Sequence, residues 1–125
     1  MIMKILIVDD DPDVVEILSY NLLKQKYEVF KATNGNEGLV AVMESSPDLI
    51  ILDIRMPEMN GIEMCREMKR SEIYSKIPVL FLTADTDEYT MLSAIEAGGD
   101  HFITKPVKPK LILDLVEEIS KKNVA

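Results

Sequence analysis

Cysteine occurs once in this chain of 125 residues, at Cys65. That scarcity excludes an internal disulfide and any metal centre built from several thiolates, and leaves Cys65 as a small residue on a helix. Basic residues are scarce too. Fourteen Lys and Arg stand against 22 Asp and Glu, a net charge of −8, which is the wrong sign for unaided binding to a phosphate backbone. No segment approaches the ~20 apolar residues of a membrane-spanning helix. The opening MIMKILIVDD lacks both a long apolar core and a cleavage site of small residues, so it is expected to be mature strand rather than signal peptide, with a cytoplasmic location. No internal repeat, low-complexity tract or linker is found, and the length suits one compact domain spanning residues 1–125.

What the chain does contain is a regular alternation. Apolar runs at Ile5 to Val8, Val29 to Ala32, Leu49 to Leu52, Val79 to Leu82 and Phe102 to Ile103 read as five strands. Between them lie stretches at helical spacing, such as Val14, Ile17, Leu18, Leu22 and, at the end, Leu111, Leu115, Ile119. Local signals agree: Asp11 can cap a helix with Pro12 in its first position, Asn60 and Gly61 precede the helix of Met64 and Met68, and Gly98 with Gly99 can stop the fourth helix. Alternating strands and helices in so short a chain imply a parallel sheet covered on both faces, joined by right-handed crossovers.

In such sheets ligands bind beyond the carboxyl ends of the strands. The residues found there are Asp9, Asp10 and Asp11 after ILIV, Asp53 after LIIL, Thr83 after PVLFL and Lys105 after HFIT. Three consecutive carboxylates demand an explanation, because two of them about 4 Å apart repel by roughly 4 kcal/mol at an effective dielectric near 20. Such a cluster either splays into water or surrounds a cation. Taken singly, acidic residues at a helix start are caps, a Thr after a strand opens a loop and a surface Lys is solvated; four strands delivering these groups to one rim is a different matter.

The stretches IVDDDPD, PDLIILDIRMPEMNG, IPVLFLTA and AGGDHFITKP resemble the receiver domain of bacterial two-component response regulators, the CheY-like family, over nearly the whole chain. The resemblance implies a doubly wound five-stranded sheet of order 2-1-3-4-5. It further implies that Asp53 accepts a phosphoryl group and that Asp9 and Asp10 hold magnesium, Asp10 and Asp53 directly and Asp9 through water. The backbone carbonyl of Arg55 is the implied third protein ligand. Lys105 is the implied basic partner of the phosphoryl oxygens, Thr83 the hydroxyl switch residue and Phe102 the aromatic that moves with it, with Lys105–Pro106 as a cis peptide. A shared dication would let two of the three aspartates tolerate one another, while Asp11 caps the first helix. The implied partners are a sensor histidine kinase or phosphotransfer protein upstream and an effector domain or protein downstream, engaged through the fourth helix, fifth strand and fifth helix. By this reading the chain is a phosphoacceptor switch rather than an enzyme with turnover. His101 is expected to be an exposed strand residue facing away from Phe102.

Two rivals share parts of this pattern. Phosphatases of the haloacid dehalogenase type also place an aspartate after a strand, then a Thr or Ser, then a Lys, with magnesium. They usually carry a second aspartate two residues after the first, where this chain has Arg55, and their extra metal carboxylates follow the Lys rather than precede the nucleophile. A degenerate receiver that only binds protein would lack part of a set that is complete here. Against one branch of the family there is a departure. Regulators that dimerise on the fourth and fifth helices use cross-paired arginines and acids, but DEYTMLSAIEAGG has no Lys or Arg, and LILDLVEEISKKN has Leu115 and Glu117 where that branch tends to place arginines. Those charged pairs are not expected to form.

Overall fold

The computed structural model describes residues 2–84 and 87–122. The elements run β1 Lys4–Val8, α1 Pro12–Lys24, β2 Glu28–Ala32, α2 Gly35–Ser45, β3 Leu49–Asp53, α3 Gly61–Lys69, β4 Val79–Thr83, α4 Glu88–Glu96, β5 His101–Thr104 and α5 Pro109–Lys122. All strand pairs are parallel, in the order β2-β1-β3-β4-β5. The doubly wound five-stranded sheet that the resemblance implies is therefore the fold.

Strand composition follows position in the sheet. The central β3 and β4 are buried along their whole length, and β1 nearly so, which is why they are unbroken runs of Leu, Ile, Val and Phe. Alternate residues serve opposite layers. Ile5, Ile7, Leu49, Ile51, Leu80 and Leu82 pack with the buried residues of α1 and α5. Leu6, Val8, Ile50, Leu52, Val79 and Phe81 pack with α2, α3 and α4. Each large apolar side chain so enclosed contributes about 2 kcal/mol relative to exposure. The edge strands β2 and β5 are only partly buried, and Lys31 on β2 places a charge at an otherwise open edge.

Helix starts obey their local chemistry. Asp11 caps α1, accepting from the Asp13 N–H at 2.9 Å, with Pro12 in the first turn. Asn34, Asn60 and Asp87 cap α2, α3 and α4 in the same manner, and Gly98 at φ +110° follows the end of α4.

The helix faces that the spacing left open are settled by the sheet, and one reading, that of His101, needs correction. In α1 the buried residues are Val15, Leu18, Ser19 and Leu22, while Val14 is half-buried and Ile17 exposed. In α5 they are Ile112, Val116 and Ile119, with Leu111 exposed and Leu115 half-buried. Both helices carry more apolar residues than one stripe can hold, so periodicity leaves their rotation open and the sheet selects it. His101 does face away from Phe102, opposite Leu80 on β4, but it is half-buried because α5 covers that face.

Candidate functional site

Strand register assembles the site. Val8 lies opposite Leu52 and Thr83 opposite Thr104, so Asp9, Asp53, Thr83 and Lys105 emerge side by side at the carboxyl rim. Backbone hydrogen bonds lace that rim together: Asp9 N–H donates to Ala32 O at 3.1 Å, Ile54 N–H to Leu82 O at 3.3 Å and Lys105 N–H to Thr83 O at 2.8 Å. Close behind Asp53, Gly61 is required by contact, since a Cβ there would collide with the Asp53 carbonyl.

The side chains form a compact acidic cluster beside the Lys105 ammonium. Asp9 is 1% exposed and Asp53 5% exposed, whereas Asp10 is open to solvent. Lys105 Nζ stands 3.2 Å from Asp9 Oδ2 and 3.5 Å from Asp53 Oδ1. Asp9 Oδ1 accepts the Asp11 N–H at 2.9 Å. Among the described residues Asp9 Oδ2 has no hydrogen bond of good geometry, only the ion pair with Lys105. Asp53 looks into a cleft of roughly 760 Å³ lined also by Asp10, Asp11, Arg55, Ala84, Asp87 and Lys105.

Burial first, and the Asp9 carboxylate second, push the Asp53 carboxyl up to about 6, against the pull of Lys105 and of an Arg55 backbone hydrogen bond; Asp10 adds a smaller push. Burial alone would lower the Lys105 ammonium, but the Asp53 and Asp9 carboxylates outweigh it and raise it. One lysine does not offset three carboxylates. Carboxylate oxygens of Asp9, Asp10 and Asp53 all lie within 4.8 Å of one another, and a hard oxygen-seeking dication fits both that donor set and the sealed Asp9 Oδ2.

These shifts predict a pH dependence. With metal chelated, the unfolded chain loses the Asp53 proton near 3.8 and the native protein keeps it to about 6. Native protein thus binds more protons across that window, so stability falls as pH rises from about 4 to 6, by about 3 kcal/mol from this group. Asp53→Asn should remove that component and leave the variant more stable than the parent at neutral pH. Urea titrations in EDTA at several pH values would measure the difference, and superimposable pH profiles would refute it.

Thr83 is buried at the end of β4, and Phe102 lies deeper on β5, half-buried and stacked on Phe81 with ring centroids 5.7 Å apart. Asp9, Asp10, Asp53 and Lys105 are thus brought together, with Arg55 on the cleft wall, whereas Phe102 is set apart from the acidic cluster. The Lys105–Pro106 peptide is cis. Asp87 was not singled out in the sequence, yet it lines the cleft while accepting Thr90 N–H and Oγ1–H at 2.8 Å each; the Asp-x-x-Thr spacing of a helix cap is the signal that marks it. Cys65 is buried in α3, its thiol pushed up to about 11 by burial, which makes it unreactive.

This sheet order, with Asp9, Asp10, Asp53 and Lys105 gathered at its carboxyl rim, is the arrangement that the resemblance to receiver domains implies. Residues 5–117 match the family model described as the response regulator receiver domain, and the chain belongs to that family. It is 36% identical over 120 residues to the alkaline phosphatase synthesis transcriptional regulatory protein PhoP of Bacillus subtilis, covering 96% of this chain and 49% of that protein. It is 37% identical over 120 residues to the DNA-binding response regulator MtrA of Mycolicibacterium smegmatis, covering 96% and 51%. The chain therefore spans about half the length of these relatives. The structure of the Vibrio cholerae chemotaxis protein CheY4 superposes with a TM-score of 0.90 at 28% identity, over 95% of this chain and 99% of that one.

Proposed function

We propose that residues 1–125 act as one cytoplasmic receiver domain in which Asp53 takes a phosphoryl group from a histidine kinase, a phosphotransfer protein or a small phosphodonor. The observation that carries this reading is Asp53 itself, nearly enclosed yet opening on a cleft, with two further carboxylates and one ammonium around it. An Asp53 oxygen attacks phosphorus as the bond to the donor breaks, and the donor departs with that bond's electron pair. Lys105 contacts the phosphoryl oxygens and offsets their growing charge, so catalysis is positioning and electrostatics. Asp10, Asp53 and the Arg55 carbonyl would hold magnesium directly and Asp9 through water; when bound, the ion supplies the positive charge that lets an anionic donor approach a carboxylate. Turnover is limited to the domain's own phosphorylation and dephosphorylation. Incubation with acetyl phosphate and magnesium, read by intact mass, tests this: a single added phosphoryl group is expected, without sustained hydrolysis of phosphate monoesters.

On phosphorylation the Thr83 hydroxyl, at the end of β4, would donate to a phosphoryl oxygen on Asp53, drawing in the loop between β4 and α4, of which residues 85 and 86 lie outside the described residues. Phe102 then follows into the vacated space. The output passes through α4, β5 and α5, where Tyr89 is 81% exposed and Leu92, Ile95 and Leu111 are more than half exposed. Charged pairing between two copies is disfavoured on this face, because α4 has no cation. On α5, Lys110 and Lys121 already pair within their own helix with Asp114 at 3.2 Å and Glu117 at 3.4 Å. With a beryllium fluoride mimic, any association should therefore be unchanged between about 0.1 M and 1 M salt, where screening shortens from about 10 Å to 3 Å. Sedimentation showing a tight dimer that dissociates in salt would contradict this.

A further inference from the structure

The turn between β2 and α2 supplies none of the groups assigned above, yet it is bonded to both halves of the acidic site. At its start, Asp9 N–H donates at 3.1 Å to the carbonyl of Ala32, the last residue of β2, so the strand that leads into the turn holds the backbone carrying the acid pair. At its far end, Gly35 N–H donates to the Met59 carbonyl at 3.2 Å and Asn36 Nδ2 approaches Glu58 Oε2 at 3.5 Å. Glu58 and Met59 belong to the loop from β3 to α3 that carries Arg55. The base of that loop is closed by Gly61 N–H donating to Ile54 O at 2.9 Å, so its outer limb is steadied by what it meets at α2.

The turn is itself stiff. Asn34 Oδ1 accepts the Glu37 N–H at 2.9 Å, while Glu37 Oε1 accepts the Thr33 N–H at 3.0 Å and the Thr33 hydroxyl at 2.8 Å, a reciprocal cap. Helix and loop then meet backbone to backbone. A Cβ on Gly35 would lie 2.5 Å from Met59 O and 2.8 and 2.9 Å from Met59 Cγ and Cβ. The shortest of these contacts is with a backbone carbonyl, which cannot swing aside as the end of a flexible side chain can, so it passes a displacement on to the loop.

We infer that the β2–α2 turn is the spacer that sets the distance between the Asp9–Asp10 pair and the Arg55 carbonyl, with Gly35 as its positioning residue. The inference rests on the magnesium site proposed above and adds what tunes it. Magnesium requires near-ideal octahedral geometry, so a shift of a few tenths of an ångström in one ligand matters. Gly38, one turn further along α2, supplies the contrast. A Cβ there meets Met64 Sδ at 2.6 Å and Cε at 2.8 Å, the far end of a flexible core side chain, and Val8 Cγ1 at 3.2 Å. Substitution at Gly38 burdens packing without pushing the Arg55 loop.

Magnesium titration followed by amide chemical shifts, with thermal melting in EDTA alongside, separates positioning from stability. Gly35→Ala should weaken magnesium binding about tenfold, in the range for residues that orient metal ligands. Gly38→Ala should lower the melting temperature and keep the parent affinity. Glu37→Ala, which loosens the reciprocal cap on an exposed surface, should fold normally and weaken binding a few-fold. The inference is overturned if Gly35→Ala binds as tightly as the parent, if Gly38→Ala loses affinity in the same proportion, or, should Gly35→Ala not fold, if Glu37→Ala keeps the parent affinity. Absence of saturable binding by the parent protein would instead remove the magnesium site, and this inference with it.

Discussion

Asp53→Asn is expected to take up no phosphoryl group from acetyl phosphate and magnesium, where the parent protein gains one that is released in base, as acyl phosphates are. The two side chains have nearly the same shape, so what is lost is the nucleophile. A carboxylate oxygen carries the charge and lone pair that attack phosphorus, and an amide oxygen does not form a stable acyl phosphate. Unfolding cannot account for the loss. Asp53 is pushed up to about 6 by burial and by Asp9, so neutralising it relieves strain in the metal-free protein and the variant should melt no lower than the parent. Intact-mass analysis with and without alkaline treatment makes the measurement. Label persisting in the variant, on His101 or a serine, would sink the assignment.

The next largest effect is expected at Asp10. Replacing it with Asn removes a charged oxygen from the group of three carboxylates within 4.8 Å, and magnesium affinity should fall by roughly tenfold to a hundredfold, comparable to other losses at metal sites. Its neighbour should behave differently, although the sequence presents them as equals. Asp11 turns its carboxylate to the Asp13 N–H at 2.9 Å and caps α1. Asn caps a helix about as well as Asp, so Asp11→Asn should change both affinity and stability little. Titration of the two variants side by side decides the matter, and equal losses at both positions would show that the division of labour is wrong.

That contrast indicates what kind of information each level carries. Asp11 was legible as a cap because a cap is a local event: an acidic residue, Pro12 after it, and an apolar periodicity beginning within a turn. The same holds for the strands, since Ile5 to Val8 and Leu49 to Leu52 declare double burial by composition alone, and for the acidic residues that end them. Gathering of Asp9, Asp10, Asp53 and Lys105 could be expected because a parallel sheet places the ends of its strands on one rim, whatever the details of packing. The family likeness added the strand order.

Other features were not written in any one segment. The rotation of α1 and α5 is not written in their spacing, because each carries apolar residues around more than one stripe, and only the sheet surface decides whether Val15 or Ile17, Ile112 or Leu111, is turned inward. The ion pair of Asp9 with Lys105 joins the first strand to the end of the fifth. The backbone contact of Gly35 with Met59 joins the start of α2 to the loop before α3, segments whose residues show no sign of each other in the sequence. Sequence by itself determined the alternation of strands and helices, the caps and the residues available at the rim, because those follow from short-range periodicity and side-chain chemistry. Tertiary structure alone decided which helix faces are buried, how far the Asp53 carboxyl is pushed from its ordinary value and what braces the Arg55 loop, because each of these depends on distances between groups that only packing brings together.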